Sequence, residues 1–278
     1  MSSEILLTGA SSYVGARLFQ DISPVHETVG TYNSEQLSPS FQRLDVTDPD
    51  QVAAIILEHQ PKVIIHAAAN ASAGWCDANP EAADLLNRQA TGFIADMADK
   101  TGAKLVLVSS FAAHNPNGVY AQTKADSEEI ARNTKDYVIL QPSLILGMSP
   151  NQTNDRPHNR FLRDIEGKKE PIYDTSWRFQ PTYLRHIGEV VLDVIARDIT
   201  GETIPIAVPG LKSRFDVAQS ILPAFGIEPI PEDKHDTQLV EEVALTKLRE
   251  LGLREYEYEE MMRLIIEEIR NREQYSFK

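Results

Sequence analysis

Two serines, a tyrosine and a lysine stand in one short stretch, Val108-Ser109-Ser110-Phe111-Ala112-Ala113-His114-Asn115-Pro116-Asn117-Gly118-Val119-Tyr120-Ala121-Gln122-Thr123-Lys124. The serines end an apolar run, Leu105 to Val108. Tyr120 and Lys124 then follow at a spacing that puts both side chains on one face of a helix. A free tyrosine loses its proton at about pH 10, and a neighbouring ammonium favours the phenolate and lowers that value. Tyr120 is therefore fitted to pass a proton to a carbonyl oxygen that a serine hydroxyl, Ser110, holds in place. A tyrosine four places before a lysine is cheap by chance in a chain with nine tyrosines. The structural alternative is a surface Tyr and Lys beside a capping serine, so the context must decide.

The context begins at the other end of the chain. Thr8-Gly9-Ala10-Ser11-Ser12-Tyr13-Val14-Gly15 directly follows the apolar run Ile5-Leu6-Leu7 and leads into Ala16-Arg17-Leu18-Phe19. A strand, a tight turn and a helix in that order direct free backbone N–H groups and the positive helix end at an anion, as dinucleotide folds do for a pyrophosphate. Gly9 permits the turn and Gly15 permits close packing of helix on strand. The middle position, usually glycine, is Ser12, whose Cβ crowds the approach while its hydroxyl can donate to a phosphate oxygen.

Further stretches follow the same logic. Asp45 and Val46, in Leu44-Asp45-Val46-Thr47-Asp48, place a carboxylate where it can accept from an adenine amino group. His66-Ala67-Ala68-Ala69-Asn70 ends another strand in small side chains, as expected where a ligand lies flat over backbone. The strand ending Tyr32-Asn33-Ser34 has no acid before Glu35. A carboxylate there would bind the ribose 2′-hydroxyl of NAD, and its absence admits the 2′-phosphate of NADP. NADP is the preferred cofactor on this reading and NAD the alternative, with Arg43 a candidate for the phosphate.

These pieces need a scaffold. Short apolar runs at 5–7, 63–66, 105–108 and 138–140 alternate with helical patterns opened at Asp48-Pro49 and Asn79-Pro80, the second running to Met97. That alternation predicts an α/β fold, a Rossmann-type doubly wound parallel sheet. After Pro142 the polar stretch SPNQTNDRPHNR leaves the sheet. The expected organisation is a dinucleotide-binding domain over 1–145, to which 181–208 returns, and a smaller substrate-binding lobe from 146–180 and 209–278. The apolar positions of the C-terminal helix, Met261 to Ile269, read as core packing.

Composition narrows the possibilities. The net charge of −14 leaves no basic surface for nucleic acid. The single cysteine, Cys76, excludes an internal disulfide and fits a reducing, cytoplasmic setting. The N-terminal stretch lacks the basic flank and apolar length of a signal or membrane segment. Seven histidines with no ligand-like spacing predict no metal site.

With TGASSYVG (8–15), LDVTD (44–48), HAAAN (66–70), CDANPE (76–81), LVLVSS (105–110), YAQTK (120–124), QPSLILG (141–147), RFQPTYLRHIGEVV (178–191) and VALTKLRELGL (243–253), the chain resembles the extended short-chain dehydrogenase/reductases. Within them it most resembles dTDP-4-dehydrorhamnose reductases. The resemblance implies a catalytic set of Ser110, Tyr120 and Lys124, with Lys124 holding the nicotinamide ribose. It implies a cofactor site of Gly9, Ser11, Ser12, Tyr13, Val14 and Gly15 around the pyrophosphate, and Asp45 and Val46 at adenine. Tyr32, Asn33 and Ser34 are then expected at the ribose, with Ala67, Ala68, Ala69, Asn87, Ser109 and Pro142 along the nicotinamide half.

Asn70, Ser110, Asn159, Arg160, Arg178 and Gln180 are the substrate candidates, the arginines suiting a diphosphate. A homodimer through the helices around 85–99 and 120–132 is the family's usual assembly. The implied activity is NAD(P)H-dependent reduction of a 4-keto group on a nucleotide-activated deoxysugar. The alternatives are a non-catalytic NADP-binding regulatory subunit, like the beta subunit of methionine adenosyltransferase, and a nucleotide-sugar epimerase. A dehydratase is disfavoured, because Phe111-Ala112-Ala113 follows the catalytic serine where acids are expected.

Overall fold

The structure, a computed structural model, describes residues 4–167, 171–237 and 240–277. In its first half, strands β1 (Ile5–Thr8), β2 (Thr28–Tyr32), β3 (Gln42–Arg43), β4 (Val63–His66), β5 (Lys104–Val108) and β6 (Tyr137–Pro142) alternate with helices. The helices are α1 (Tyr13–Ile22), α2 (Pro49–His59), α3 (Ala73–Ala78), α4 (Pro80–Ala83), α5 (Ala90–Thr101) and α6 (Val119–Arg132). The second half holds β7 (Leu144–Leu146), α7 (Pro157–Gly167), β8 (Ile172–Asp174), β9 (Arg178–Phe179), β10 (Pro181–Tyr183) and α8 (Leu184–Ala196). It continues with β11 (Glu202–Ile206), β12 (Lys212–Ser213), α9 (Arg214–Ile221), β13 (Ile230–Glu232), α10 (Thr246–Glu250) and α11 (Tyr258–Arg270).

Seven strands form one parallel sheet in the order β11-β6-β5-β4-β1-β2-β3. The order reverses between β1 and β4, the topological switch point above which open α/β sheets bind ligands. Strands covered on both faces must be apolar on both. Along β1, Ile5 and Leu7 face the cluster that holds α1 and α8, while Leu6 faces the cluster that holds α2 and α5. β11 returns to the sheet beside β6, as its Ile204 and Ile206 require for burial.

Local signals set the helix starts. Asp48 caps α2 by accepting from the N–H groups of Asp50 and Gln51, with Pro49 as the first helical residue. The pattern from Asn79 to Met97 predicts one helix, but Asp84–Gln89 is a π turn between α4 and α5. Such a turn inserts a residue and re-aims the side chains within it. Here it directs Asn87 inward, to 1% exposure. The polar stretch after Pro142 also ends earlier than its composition predicts, because Pro157 starts α7.

A separate apolar cluster, including Phe161, Tyr173, Phe179, Val217, Met261 and Ile265, forms the core of the second lobe. Its short strands pair as β7 with β10, β9 with β12 and β8 with β13. Among the described residues no helix is long and apolar enough to cross a membrane.

The lobe is fastened to the sheet domain by buried polar contacts. Arg17 of α1 and Glu268 of α11 pair at 3.0 Å, with side-chain exposures of 4% and 6%. Glu268 also accepts from the Tyr183 hydroxyl at 2.7 Å and from the Met148 N–H at 2.8 Å. Burial opposes the charge on Arg17, but Glu268 and Asp21 more than restore it, so its pKa is raised. Removing Glu268 leaves Arg17 with Asp21 alone and leaves the Tyr183 hydroxyl and the Met148 N–H without this acceptor in a dry site. Glu268→Ala is expected to lower unfolding stability by about 3–5 kcal/mol, read by urea denaturation of the purified protein.

Candidate active site

The glycine turn is set by contact. Gly9 has φ +71°, and a Cβ on it would lie 2.8 Å from the backbone N and Cα of Ala68 at the end of β4. A Cβ on Gly15 would lie 2.1 Å from the carbonyl oxygen of Gly9. Ser12 differs from both. Its backbone is extended, and its hydroxyl accepts from the Gly15 N–H at 3.0 Å as the cap of α1. The position therefore makes no conformational demand for glycine, and the hydroxyl, while accepting from its own helix, keeps its proton to donate. The Tyr13 and Val14 N–H groups, at the first two helical positions, have no partner within the helix.

Several expected cofactor residues also carry internal contacts. The Tyr13 ring is buried, and its hydroxyl donates to the Gly147 carbonyl at 2.5 Å. Burial raises its pKa well above the ordinary value, so Tyr13 offers the cleft its backbone only. Val46 is 5% exposed, inside the α2-side cluster. Ser11 Oγ accepts from the Leu37 N–H at 3.3 Å. Asp45 accepts from the Thr47 N–H at 2.9 Å and hydroxyl at 2.7 Å, an Asx turn made possible by its short side chain. Asn87 accepts from the Asn70 N–H at 2.9 Å and donates to the Asn70 carbonyl at 3.1 Å and the Thr123 hydroxyl at 3.2 Å, which ties the loop after β4 to α6. These same bonds occupy the Asn70 backbone, while its side chain accepts from the Ser72 N–H. Ala67, Ala68 and Ala69 form a partly exposed strip beside the glycine turn, Pro142 is buried at the end of β6, and Asn33 and Ser34 are exposed beyond β2.

The catalytic candidates do converge. Ser110 follows β5 and caps a short 3-10 turn, Phe111–His114, its hydroxyl accepting from the Ala112 N–H at 3.2 Å. The same hydroxyl is near enough to Tyr120 to favour its ionised form. α6, which carries Tyr120 and Lys124, begins at Gly118 with no cap of its own; Asp77 of α3 supplies one, accepting from the Val119 N–H at 3.0 Å.

Charge acts differently here from the expectation. Burial raises the Tyr120 pKa, Ser110 lowers it in part, and the cation that also lowers it is Arg156, from the second lobe. Lys124 is turned to the Val108 carbonyl at 2.8 Å, and burial draws its pKa down to about 8 against the opposing charge of Glu128. Tyr120 thus stays protonated at neutral pH, as a proton donor must. Ser109 points away from the cleft and donates to Glu128 at 2.5 Å. His66, at the end of β4, shares a 2.7 Å hydrogen bond with Thr8, and burial followed by the Lys124 charge holds its pKa down to about 3.

In the second lobe only part of the substrate set faces a cleft. Arg160 stacks over Tyr173 at 4.4 Å and lines a narrow hollow with Leu144, Leu146, Phe179 and Arg214. Arg178 is exposed and pairs with Asp216 at 3.0 Å. Gln180 is buried and clamps both backbone groups of Val243, at 3.1 and 2.7 Å. Asn159 is buried and donates to Asn151 and Asn154. Arg156 and Arg214 escaped the sequence reading, although Arg156 stands directly before the helix-starting Pro157 in the polar stretch already singled out. Among the described residues no three His, Cys, Asp or Glu gather as metal ligands.

The donor set fits a dinucleotide: helix-end N–H groups at a turn that admits no Cβ, a strip of alanines, and a Ser-Tyr-Lys set at the carboxyl edge of β5. Fold and site together define the extended short-chain dehydrogenase/reductase class. Residues 3–248 match the family described as RmlD substrate binding domain, and the chain belongs to that family. It is 25% identical over 217 residues to methionine adenosyltransferase 2 subunit beta of Xenopus laevis, a match that covers 73% of this chain and 65% of the relative. Its fold is similar to that of dTDP-4-dehydrorhamnose reductase of Bacillus anthracis, solved with NADP (TM-score 0.80, 20% identity, 96% of this chain and 99% of that one). It is also similar to that of UDP-glucose 4-epimerase of Thermotoga maritima, solved with UDP-glucose (TM-score 0.81, 17% identity, 96% and 99%).

The capping role of Ser12 has a measurable signature. Ser12→Ala is expected to cost about 1 kcal/mol of stability, and Ser12→Gly only about a few tenths, by thermal unfolding.

Proposed function

We propose that the chain reduces a 4-keto group on a nucleotide-activated deoxysugar, using NADPH in preference to NADH. The observation that carries this reading is Ser110 set against the hydroxyl of a protonated Tyr120, with Lys124 one helical turn on, at the sheet edge beside the glycine turn. Bound at that edge, the reduced nicotinamide supplies hydride. Ser110 orients the carbonyl oxygen, and Tyr120 gives it a proton from its hydroxyl. Lys124 holds the ribose, and the charge of Arg156 stabilises the phenolate that Tyr120 leaves behind. The preference for NADPH is supported by the exposed end of β2, which carries no acid, and by Arg43, which pairs in register with Tyr32 on the neighbouring strand.

The similarity to methionine adenosyltransferase 2 subunit beta favours a second reading, a cofactor-binding subunit of another enzyme that turns nothing over. One experiment separates the two. The protein is titrated with NADPH and NADH, and absorbance at the nicotinamide band is followed after adding a panel of dTDP- and UDP-linked 4-keto sugars. Loss of the reduced-cofactor signal supports the reductase; tight binding with no loss on any sugar supports the subunit. In the reductase, Tyr120→Phe is expected to keep NADPH affinity and lose about 10²- to 10⁴-fold in rate. Arg43→Ala is expected to weaken NADPH binding about tenfold and leave NADH unchanged, which separate titrations with the two cofactors would check.

A further inference from the structure

Beneath the catalytic set lies a buried carboxylate that the reaction described above leaves without a role. Glu128 is on α6, one turn after Lys124, and is 3% exposed. Its oxygens accept from Ser109 at 2.5 Å, from Gln141 Nε2 at 2.8 and 2.9 Å, and from Arg132 at 2.7 Å. Ser109 directly precedes Ser110 at the end of β5. Gln141 directly precedes Pro142 at the end of β6, and its Oε1 shares a 2.9 Å bond with His114 Nε2 on the turn between Ser110 and Tyr120. One carboxylate therefore ties two strand ends and one turn to the helix that bears the tyrosine and the lysine. A buried carboxylate is costly unless paired; Arg132 pairs with it from the same helix, and the two donors from separate strand ends, Ser109 and Gln141, reach it only in a single arrangement.

We propose that Glu128 is the positioning residue of this site, its carboxylate setting the two strand ends against α6 one helical turn from Lys124. This rests on the reading of Lys124 as the group that holds the cofactor ribose. The other groups around the pair leave Glu128 as the opposing charge. His66 on β4 is neutral, its pKa held near 3 by burial and by Lys124. Cys76 on α3 and Arg156 from the second lobe act on Tyr120, and Asp77 caps the start of α6. On the π turn, Arg88 pairs with Asp84 and faces Asp126 on the outer side of α6, and Glu81 of α4 is exposed. Asp99, near the end of α5, caps the Lys135 N–H. Arg132 lies on the far side of Glu128, 45% exposed, and His114 reaches it only through Gln141.

The sign follows from the lysine. Burial has brought Lys124 to about 8 with Glu128 already opposing the fall, so loss of the carboxylate brings it lower. Cofactor affinity that depends on the ammonium is then lost at lower pH. The test compares the whole protein with Glu128→Gln and with Gln141→Met, which breaks the tether but keeps the charge. NADPH affinity and thermal unfolding are both measured from about pH 6.5 to 9.5.

In Glu128→Gln the upper midpoint of NADPH binding is expected to move down by about one pH unit. Its deficit in melting temperature should shrink as pH rises, because the attraction between Glu128 and Lys124 is lost once Lys124 is neutral and only the share of the other Glu128 contacts remains. Gln141→Met is expected to weaken binding with its midpoint unmoved. A folded Glu128→Gln whose deficit is the same at every pH overturns the proposal, as does an equal midpoint shift in Gln141→Met. Should NADPH fail to bind the wild type, the reading of Lys124 as the ribose-holding group fails with it, and the melting curves still decide whether Glu128 and Lys124 are coupled.

Discussion

Everything above the sheet depends on how closely the turn after β1 approaches the end of β4. The Gly9 Cα rests against the Ala68 backbone, and the Gly9 carbonyl rests against Gly15, so α1 is pressed onto the sheet at the point where the strand order reverses. That approach brings the start of α1 and the alanines after β4 to the two sides of one crevice. It also brings Thr8 within 2.7 Å of His66, whose neutral ring lies near Lys124. A side chain at either glycine would separate these parts.

Two buried carboxylates divide the remaining work between them. Glu268 joins the lobes by collecting Arg17, Tyr183 and the Met148 N–H. Glu128 joins strand ends to a helix within one lobe. Each is satisfied by donors distant in sequence, so each specifies one tertiary arrangement in addition to whatever stability it contributes. Two further bonds brace the glycine turn from the second lobe, with Asn151 donating to the Ser11 carbonyl and Ser149 to the Tyr13 carbonyl, both at 2.7 Å. The turn is thus held by the sheet from below and by the second lobe from the side.

The fold was legible in the sequence because burial of a parallel sheet on both faces leaves runs such as Ile5-Leu6-Leu7 and Leu105-Val106-Leu107-Val108, which little else explains. The helix caps at Ser12 and Asp48 are local interactions written in neighbouring residues. What escaped is long-range. Asn87 has the right address for a cofactor contact, but a π turn, invisible to a 3.6-residue pattern, points it at the Asn70 backbone. Ser109 and Ser110 are the same residue type side by side, and the alternation of a strand sends one to Glu128 and the other to Tyr120. Gln180 looks like an exposed polar residue until the backbone of Val243, 63 residues on, is seen to occupy it, and Asn159 is buried against carbonyls of the polar stretch just before it. The rule that a lysine four places on lowers a tyrosine's pKa assumes facing ends, whereas here Lys124 faces Val108.

The pairing of Arg17 with Glu268 also bears on how the molecule is made. Arg17 belongs to α1, yet this partner lies 251 residues later in the chain. While α11 is still to be synthesised, α1 has only its own Asp21, one turn on, to oppose this guanidinium. The carboxylate that completes the pairing is therefore made well after the strands of the parallel sheet. A contact of such sequence separation makes assembly slow relative to local helix formation and ties the maturation of the two lobes into one event.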